Sequence, residues 1–241
     1  MKKLILTTTA LALTAGMALA DGHGKTIRLG TEGAYPPFNF LNDDGEVDGF
    51  ERELGDELCT RAALKCEWVT NDWDSIIPNL VSGNYDAIVA GMSITDERKE
   101  KIDFTQAYTQ PDPSAYAALS ADVDVSADVI ATQANTIQAG FIAETSAQLV
   151  EFATIDEALA AVVNGEADAI LADKASLADY VAADDALMFL EQEEMIGGGV
   201  GMGIRKSDSA LRDKFDAAIQ SMKDDGTLNT LITKWQISET F

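Results

Sequence analysis

Short apolar strands alternate with amphipathic helices along most of this sequence, and that alternation constrains the fold more than any other feature. Alternation of this kind is typical of α/β layers, in which helices cover a central sheet. Apolar runs of strand length lie at residues 27–31, 67–69, 85–90, 129–131 and 169–171. Helical periodicity predicts helices at residues 50–63, 73–81, 136–147, 155–163, 174–181, 207–225 and 228–235.

Two interruptions divide this alternation into two units. Residues 110–113 read Gln-Pro-Asp-Pro, and paired prolines are common in stiff connections. Residues 197–203 are rich in glycine, which permits close backbone contact, but the helix that a dinucleotide site needs is missing there. We therefore expect a chain that leaves its first unit once and returns. Lobe 1 would comprise residues 25–111 and 201–241, and lobe 2 would comprise residues 112–200.

The first 20 residues have the pattern of a secretory signal peptide. Lys2 and Lys3 give a basic start, residues 4–14 are apolar, and residues 18–20 read Ala-Leu-Ala, which fits cleavage after Ala20. The apolar stretch is too short for a membrane span, and no cysteine at the cleavage point offers a lipid anchor. We therefore expect export to the periplasm and free diffusion there.

Net charge argues against one class of partner. Cleavage after Ala20 would leave 221 of the 241 residues and change the formal charge from -24 to -26, because the leader holds two lysines and no acidic residue. This length suits two lobes, each with its own core. So acidic a surface repels phosphate backbones and anionic lipids, so we expect no nucleic acid or membrane-surface partner.

Few residues suit a metal site or a nucleophilic catalyst. Cys59 and Cys66 lie in one helix-to-strand connection, and in an oxidising compartment we expect them to form a local disulfide. The single histidine, His23, lies in a short glycine-containing N-terminal stretch, which argues against a zinc site and against histidine-dependent catalysis. Residues 38–49 predict a hairpin that turns at Asp44-Gly45, and its acids do not fall at EF-hand positions. No metal, cofactor or catalytic residue is predicted.

Five motifs in a fixed order carry a resemblance to a known family. They are Gly30-Thr31-Glu32-Gly33-Ala34-Tyr35-Pro36-Pro37-Phe38, Asp48-Gly49-Phe50-Glu51, Trp73-Asp74-Ser75-Ile76-Ile77-Pro78, Tyr85-Asp86-Ala87-Ile88 and Ser93-Ile94-Thr95-Asp96-Glu97-Arg98. From about Ile27 to Trp235 the sequence resembles the polar amino-acid-binding proteins of ABC importers, solute-binding protein family 3. It is most similar there to the lysine/arginine/ornithine, histidine and opine binders, two of which share the spacing of Cys59 and Cys66. The resemblance implies a type II periplasmic-binding-protein fold, with a ligand cleft between two lobes joined by a two-segment hinge.

Arg98 is the predicted partner for the carboxylate of an amino acid. A zwitterion needs donors for its carboxylate and an anion for its ammonium, both shielded from water. The planar guanidinium of Arg98 can give two parallel hydrogen bonds, and it follows residues 93–95, where a strand passes into a helix. Spacing alone equally allows an exposed helix arginine that pairs with Glu97 or Glu100. The family motif favours the ligand role.

Asp173 is the predicted partner for the ammonium group. It ends the apolar run at residues 167–172, at the carboxyl end of a strand, where ligands of open α/β sheets collect. Asp168 competes for this role, but it starts the strand and is expected to be structural. Asp173 could instead cap the helix that begins at Lys174. The resemblance places an amine-binding acid at this position and favours the ligand role.

Further contacts to the ligand carboxylate are expected from residues 133–136, a loop that leads into a helix of lobe 2. Thr136 is a predicted ligand residue, whereas Ala134-Asn135 departs from the Gly-Thr-Thr or Gly-Ser-Thr pattern of the family. Ala90-Gly91 replaces a serine pair of the lysine-type binders. Backbone groups at Gly91 and the Ser93 hydroxyl are therefore expected to serve in its place.

Tyr35, Trp73 and Glu32 are predicted to set selectivity for the ligand side chain. The two rings can hold an aliphatic stem or a guanidinium between them, with a cation–π attraction of roughly 0.5–2 kcal/mol, although ordinary core packing is the alternative. Glu32 corresponds to an acid, one methylene shorter, that contacts the distal cation in the basic-amino-acid binders. It could equally be an exposed acid at a strand end. A basic amino acid or an opine is therefore favoured over a neutral or broad ligand set.

The resemblance implies a monomer without a cofactor that captures a free L-amino acid, closes about its hinge, and delivers the ligand to the membrane permease of an ABC importer. A dehydratase of the cyclohexadienyl or arogenate type, on the same fold, is an alternative in which Asp173 would be the positioned acid. A binding subunit that feeds a chemoreceptor or sensor kinase is another. Because Arg98 and Asp173 suit simple zwitterion binding, we expect no enzyme activity.

Overall fold

The computed structural model describes residues 25–241. The expected signal peptide at residues 1–20, its cleavage site and His23 lie outside the described residues. Across the described range, no helix is both long and apolar enough to cross a membrane. Two five-stranded sheets, one three-stranded sheet and eight α-helices are present in that range, as the predicted α/β class requires.

The elements follow one another in the alternating order that the sequence indicates. The strands are β1 (Ile27–Thr31), β2 (Ala34–Tyr35), β3 (Asn39–Leu41), β4 (Val47–Asp48), β5 (Cys66–Thr70), β6 (Ala87–Ile88), β7 (Asp103–Phe104), β8 (Ser114–Ala118), β9 (Val129–Gln133), β10 (Gln148–Phe152), β11 (Ala169–Asp173), β12 (Met188–Glu194) and β13 (Gly203–Ile204). The helices are α1 (Phe50–Arg61), α2 (Ile76–Val81), α3 (Asp96–Lys101), α4 (Ile137–Ala143), α5 (Ile155–Val163), α6 (Lys174–Ala183), α7 (Ser209–Asp224) and α8 (Thr227–Trp235).

The first large sheet has the strand order β5-β1-β6-β13-β7. β1 runs parallel to β5 and β6, whereas β13 runs antiparallel to β6 and β7. The chain therefore leaves this sheet after Phe104 and rejoins it at Gly203. This order agrees with a first unit built from two separate parts of the chain. The exact lobe boundaries remain a prediction.

The second large sheet has the strand order β10-β9-β11-β8-β12. β9 runs parallel to β10 and β11, and β8 runs antiparallel to β11 and β12. β8, β9 and β11 are almost completely buried, which explains why strands such as β11 read as continuous apolar runs. β11 ends at Asp173, so this residue lies at the carboxyl edge of a parallel strand.

Helix α1 covers the first sheet with the face that the sequence predicts. The side chains of Leu54 and Leu58 are fully buried. A Cβ at Gly55 would come within 2.6 Å of the Trp68 ring, so only glycine allows the helix to approach the sheet this closely. A disulfide joins Cys59, near the end of α1, to Cys66 at the start of β5, and the expected local pairing is confirmed.

The predicted hairpin at residues 38–49 is also confirmed. β3 and β4 pair antiparallel, and β2 pairs with β3 to complete the small sheet. Gly45 has a positive φ of 75° and donates its N–H to the carbonyl of Asn42 at 2.8 Å. Asp44-Gly45 therefore lies in the predicted turn, with glycine at the position of positive φ.

The prediction of a helix at residues 136–147 is wrong at its end, because α4 stops at Ala143 and residues 148–152 form β10. Thr145 ends the helix: its hydroxyl donates to the carbonyl of Ile142 at 2.8 Å and accepts from the N–H of Ala147 at 3.1 Å. These bonds replace the helical pattern. β10 then gains its ladder from β9, a pairing that periodicity alone does not reveal.

β8 and β12 were not predicted from the sequence. β8 reads Ser-Ala-Tyr-Ala-Ala and β12 ends in Glu-Gln-Glu-Glu, so neither has the β-branched composition of a typical strand. Two smaller differences concern predicted elements. Ladder pairing within the predicted strand 85–90 covers only Ala87 and Ile88, and residues 73–75 form a 3-10 turn before α2.

Candidate functional site

A cavity of about 300 Å³ lies between the two large sheets, and loops and strand ends from both contribute to its wall. The structure brings all eight residues predicted to contact a ligand to this wall: Glu32, Tyr35, Trp73, Gly91, Ser93, Arg98, Thr136 and Asp173. Four further residues line it: Ala90 and Gln133, which lie in segments that the sequence analysis named, and Ile137 and Gln138, which it did not name.

Arg98 lies in the first turn of α3, where the Thr95 hydroxyl caps the helix by accepting from the Arg98 N–H at 3.2 Å. Its guanidinium donates to the carbonyls of Ser93 (2.9 Å) and Asn135 (3.3 Å) and lies over the Trp73 ring, 5.2 Å from the centroid. Burial lowers the pKa of Arg98 to about 10, so the group stays charged at neutral pH.

The alternative role of Arg98 as an exposed ion-pair partner is not what the structure shows. Among the described residues, Arg98 makes no ion pair with Glu97 or Glu100, and Glu97 lies instead 3.9 Å from Lys101. The Glu97 side chain is 83% exposed. The guanidinium thus faces the cavity wall while its acidic neighbours face solvent.

Asp173 precedes α6, but its side chain makes no capping hydrogen bond to that helix. One carboxylate oxygen, Oδ2, accepts from the Tyr35 hydroxyl at 2.8 Å, and Oδ1 accepts from Gln138 Nε2 at 2.9 Å. Burial raises the pKa of Asp173, while these two hydrogen bonds and the charge of Arg98 oppose that rise. The competing Asp168 is structural, since its Oδ2 accepts from the Val129 N–H at 2.9 Å.

Glu32 follows β1 and is half-buried at the cavity. Its Oε1 accepts from Gln133 Nε2 at 2.6 Å, and Gln133 also donates to the carbonyl of Ala153 at 3.0 Å. Burial raises the pKa of Glu32 to about 7, against the hydrogen bond from Gln133, and the charge of Asp74 raises it further. Glu32 is therefore a carboxyl group whose ionised form needs a cation nearby.

Gly91 forms a tight part of the cavity floor. Its φ of 60° lies in the left-handed region, and a Cβ there would stand 3.3 Å from the Tyr35 ring. Its N–H donates to Glu51 Oε1 at 2.7 Å, which leaves the carbonyl as the backbone group that can serve a ligand. On the opposite wall, the Thr136 hydroxyl caps α4 by accepting from the Ala139 N–H at 3.1 Å.

Glu51 is a residue of the site region that the sequence motif contained but did not explain. Its side chain is fully buried beneath Gly91, and it also accepts from Asn39 Nδ2 (2.7 Å) and from the Tyr108 hydroxyl. Burial raises its pKa and the three donors oppose the rise. Acidic residues are common in the first turn of a helix, because they interact favourably with the helix dipole. The sequence therefore did not distinguish Glu51 from an ordinary exposed acid.

Three hydrogen bonds between side chains join the opposite walls of the cavity, in addition to the bond from Arg98 to the Asn135 carbonyl. Besides Tyr35 to Asp173 and Gln133 to Glu32, the Asn135 amide donates to Asp74 Oδ1 at 3.0 Å. Asn135 has a positive φ of 58°, which asparagine tolerates better than most residues. Within residues 25–241, no group of three or more histidine, cysteine, aspartate or glutamate side chains is placed to hold a metal ion.

The sequence pattern of the bacterial extracellular solute-binding proteins, family 3, matches residues 27–238. The L-arginine-binding protein of Pseudomonas aeruginosa is 33% identical over 251 residues, covering 98% of this chain and 96% of the relative. The octopine-binding periplasmic protein of Rhizobium meliloti is 29% identical over 283 residues, covering 94% of each chain. A crystal structure of a periplasmic His/Glu/Gln/Arg/opine family-binding protein from Silicibacter pomeroyi in complex with lysine is 65% identical, with a TM-score of 0.87, and the match covers 90% of this chain and 99% of that one.

Proposed function

Because the chain belongs to the bacterial extracellular solute-binding proteins of family 3, we propose that it captures an L-amino acid with a cationic side chain in the periplasm and delivers it to the membrane permease of an ABC importer. The solved relative holds lysine, and the two curated relatives are named for arginine and octopine. The pattern of charges around the cavity is the observation that carries the proposal.

Glu32, Arg98 and Asp173 are the charged residues among the described residues that line the cavity. A cationic amino acid also has three charges: the α-carboxylate, the α-ammonium and the distal cation. Arg98 would pair with the carboxylate and Asp173 with the ammonium, which leaves Glu32 for the distal cation. A neutral amino acid would leave the half-buried Glu32 with its hydrogen bond from Gln133 but without a cation, and that costs binding free energy.

The two aromatic rings would hold the aliphatic stem of the ligand. The Tyr35 and Trp73 side chains are each only 8% exposed, and both line the cavity. Because Arg98 already lies over the Trp73 ring, this ring would support both the carboxylate partner and the stem.

Closure of the two lobes would complete the site. Three hydrogen bonds between side chains cross the cavity: Tyr35 to Asp173, Gln133 to Glu32 and Asn135 to Asp74. Each joins a residue of the proposed lobe 1 (25–111 and 201–241) to a residue of the proposed lobe 2 (112–200). A ligand that touches both lobes adds to these contacts and therefore favours the closed form. Small-angle X-ray scattering is expected to show a smaller radius of gyration with saturating ligand, and an unchanged radius would contradict closure.

Titration calorimetry with L-arginine and L-citrulline tests the charge argument, because citrulline has nearly the same shape as arginine without its distal charge. The wild-type protein is expected to bind arginine at least about tenfold more tightly than citrulline, and Glu32→Gln is expected to lose most of that ratio. Glu57→Gln, on the exposed side of α1, is the matched control. Equal binding of arginine and citrulline would favour the neutral or broad alternative, and binding of no amino acid would contradict the proposal.

We expect no turnover. A dehydratase on this fold would convert prephenate or arogenate, so incubation with either compound separates the two functions. Release of phenylpyruvate or phenylalanine would favour the enzyme. We further expect a monomer in solution, which light scattering measures directly.

A further inference from the structure

A second cavity, of about 340 Å³, adjoins the first. It lies between the two chain segments that connect the large sheets, with Gln110 and Asp112 from one segment and Gly197 and Gly199 from the other. The two cavities share Ser93 and Asp173 as part of their walls. Ser93 and Asp173 therefore lie between the proposed amino-acid site and a second space.

The second cavity is acidic. Asp112 and Asp173 are the charged residues among the described residues that line it, and neither lysine nor arginine is in that set. Burial is the main cause that raises the pKa of Asp112 to about 6, and the charge of Asp173 adds to the rise. The nearby Lys174 ammonium is already 2.5 Å from Glu193 Oε1.

The position of Asp173 determines what a substituent on the ligand's α-nitrogen would meet. In the proposed function Asp173 holds the α-ammonium, so a group attached to that nitrogen would extend past Asp173 into the second cavity. In an opine such as octopine this group is a carboxyalkyl chain. Its carboxylate would face Asp112 and Asp173 without a basic partner, and a buried anion in that position is costly.

We propose that Asp112 is a specificity-determining residue that excludes amino acids with an anionic substituent on the α-nitrogen, so that the site takes free cationic amino acids and rejects opines. The proposal rests on the proposed function, because that function places the α-ammonium on Asp173. Selection by repulsion of this kind adds to selection by favourable contacts.

Titration calorimetry with L-arginine and octopine, on the wild-type protein and on Asp112→Asn, tests this proposal. The wild type is expected to bind octopine at least about tenfold more weakly than arginine, and Asp112→Asn is expected to narrow that ratio by about tenfold, since asparagine keeps the shape and removes the charge. Asp112→Ser is expected to act in the same direction if the asparagine variant fails to fold. Asp122→Asn, at an exposed position of the same half, is the matched control and is expected to leave the ratio unchanged.

Two results would overturn the proposal while leaving the proposed function intact. One is wild-type binding of octopine as tight as that of arginine. The other is a ratio in folded Asp112→Asn and Asp112→Ser that stays within about twofold of the wild-type ratio. Failure of the wild type to bind arginine at all would instead overturn the proposed function, and the role of Asp112 with it.

Discussion

Tyr35 and Asp173 are joined across the cavity by a hydrogen bond of 2.8 Å between the tyrosine hydroxyl and carboxylate Oδ2, although they lie 138 positions apart in the chain. Gln138 holds the other carboxylate oxygen. With the two halves closed, the carboxylate is thus oriented by two neutral donors, one from each half. A group that is already fixed in its binding position loses less entropy when the ligand binds.

Tyr35→Phe is expected to weaken binding of L-arginine about tenfold, because it keeps the ring but removes a hydrogen bond to a charged group, which contributes roughly 1.5 kcal/mol. Titration calorimetry measures this change. Tyr180→Phe is the control, since the Tyr180 hydroxyl also donates to a carboxylate, Asp156 Oδ1, but Tyr180 does not line the cavity. An equal loss in both variants would contradict a specific role for Tyr35.

Arginine affinity is expected to fall as the pH falls through 7. Burial raises the pKa of Glu32 to about 7 in the protein without ligand, and a distal cation binds the ionised form and so lowers that pKa in the complex. Below pH 7 the ligand must displace a proton, and between pH 8 and pH 6 the loss should approach about tenfold. Calorimetry at pH 6, 7 and 8 measures it. Glu32→Gln should show a much flatter profile, and an unchanged pH profile in that variant would assign the dependence to another group.

Asp86→Asn is expected to lower the free energy of unfolding by about 3 kcal/mol, because the buried Asp86 carboxylate receives hydrogen bonds from Lys25, Arg28 and Arg205. Burial alone would raise the pKa of Asp86, but these cations outweigh it and hold the pKa well below its ordinary range.

The sign of the resulting pH dependence follows from that lowered pKa. The stability that Asp86 contributes is fully present above the unfolded-state pKa of about 4 and is lost as the pH falls below it. Urea denaturation between pH 7 and pH 3 should therefore show a difference between wild type and Asp86→Asn that shrinks at low pH. Asp213→Asn, which removes an exposed partner of Arg212, is expected to change stability by less than about 1 kcal/mol. A similar effect for both variants would contradict the role of burial.

Glu51→Gln is expected to lower the free energy of unfolding by about 2 kcal/mol and to weaken ligand binding. Three donors, from Asn39, Gly91 and Tyr108, converge on the Glu51 carboxylate, so the amide group of glutamine would face one of them without an acceptor. Urea denaturation and calorimetry measure the two effects. Glu57→Gln, at a partly exposed position of the same helix, removes an ion pair with Arg61 and should change stability by less than about 1 kcal/mol without weakening binding.

The sequence predicted the parts of the site that stand at strand ends and within motifs. Arg98 ends the motif at residues 93–98 and Asp173 follows the apolar run at residues 167–172, and both line the cavity. Gln133 lay in the predicted contact loop, but its bond to Glu32 was not predicted, and Gln138 was not predicted at all. A glutamine has no distinctive pattern, and Glu32 and Asp173 lie far from these glutamines in sequence. Contacts between distant segments depend on how the two sheets face each other, which periodicity does not encode.

The fold was predictable where composition and periodicity agreed. The helix predicted by periodicity at residues 155–163 has the same bounds as α5, and a capping box of Thr154 and Glu157 begins it in the structure. The strand at residues 148–152 was missed because its alternating side chains follow directly after a helical pattern. The two-residue strand of Gly203 and Ile204 owes its place to pairing with β6 and β7 rather than to any propensity of its own.

The two connecting segments are bonded to each other as well as to the sheets. The Tyr108 N–H donates to the carbonyl of Val200 at 2.8 Å, and the Val200 N–H donates to the Thr109 hydroxyl at 3.0 Å. A Cβ at Gly199 would stand 2.8 Å from the carbonyl of Thr109, so the segments touch without an intervening side chain. Two segments that are hydrogen-bonded side by side resist sliding and twisting relative to each other. We therefore expect the two halves to move relative to each other by rotation about a single axis. The angle between the halves would then distinguish the ligand-free protein from the ligand-bound protein.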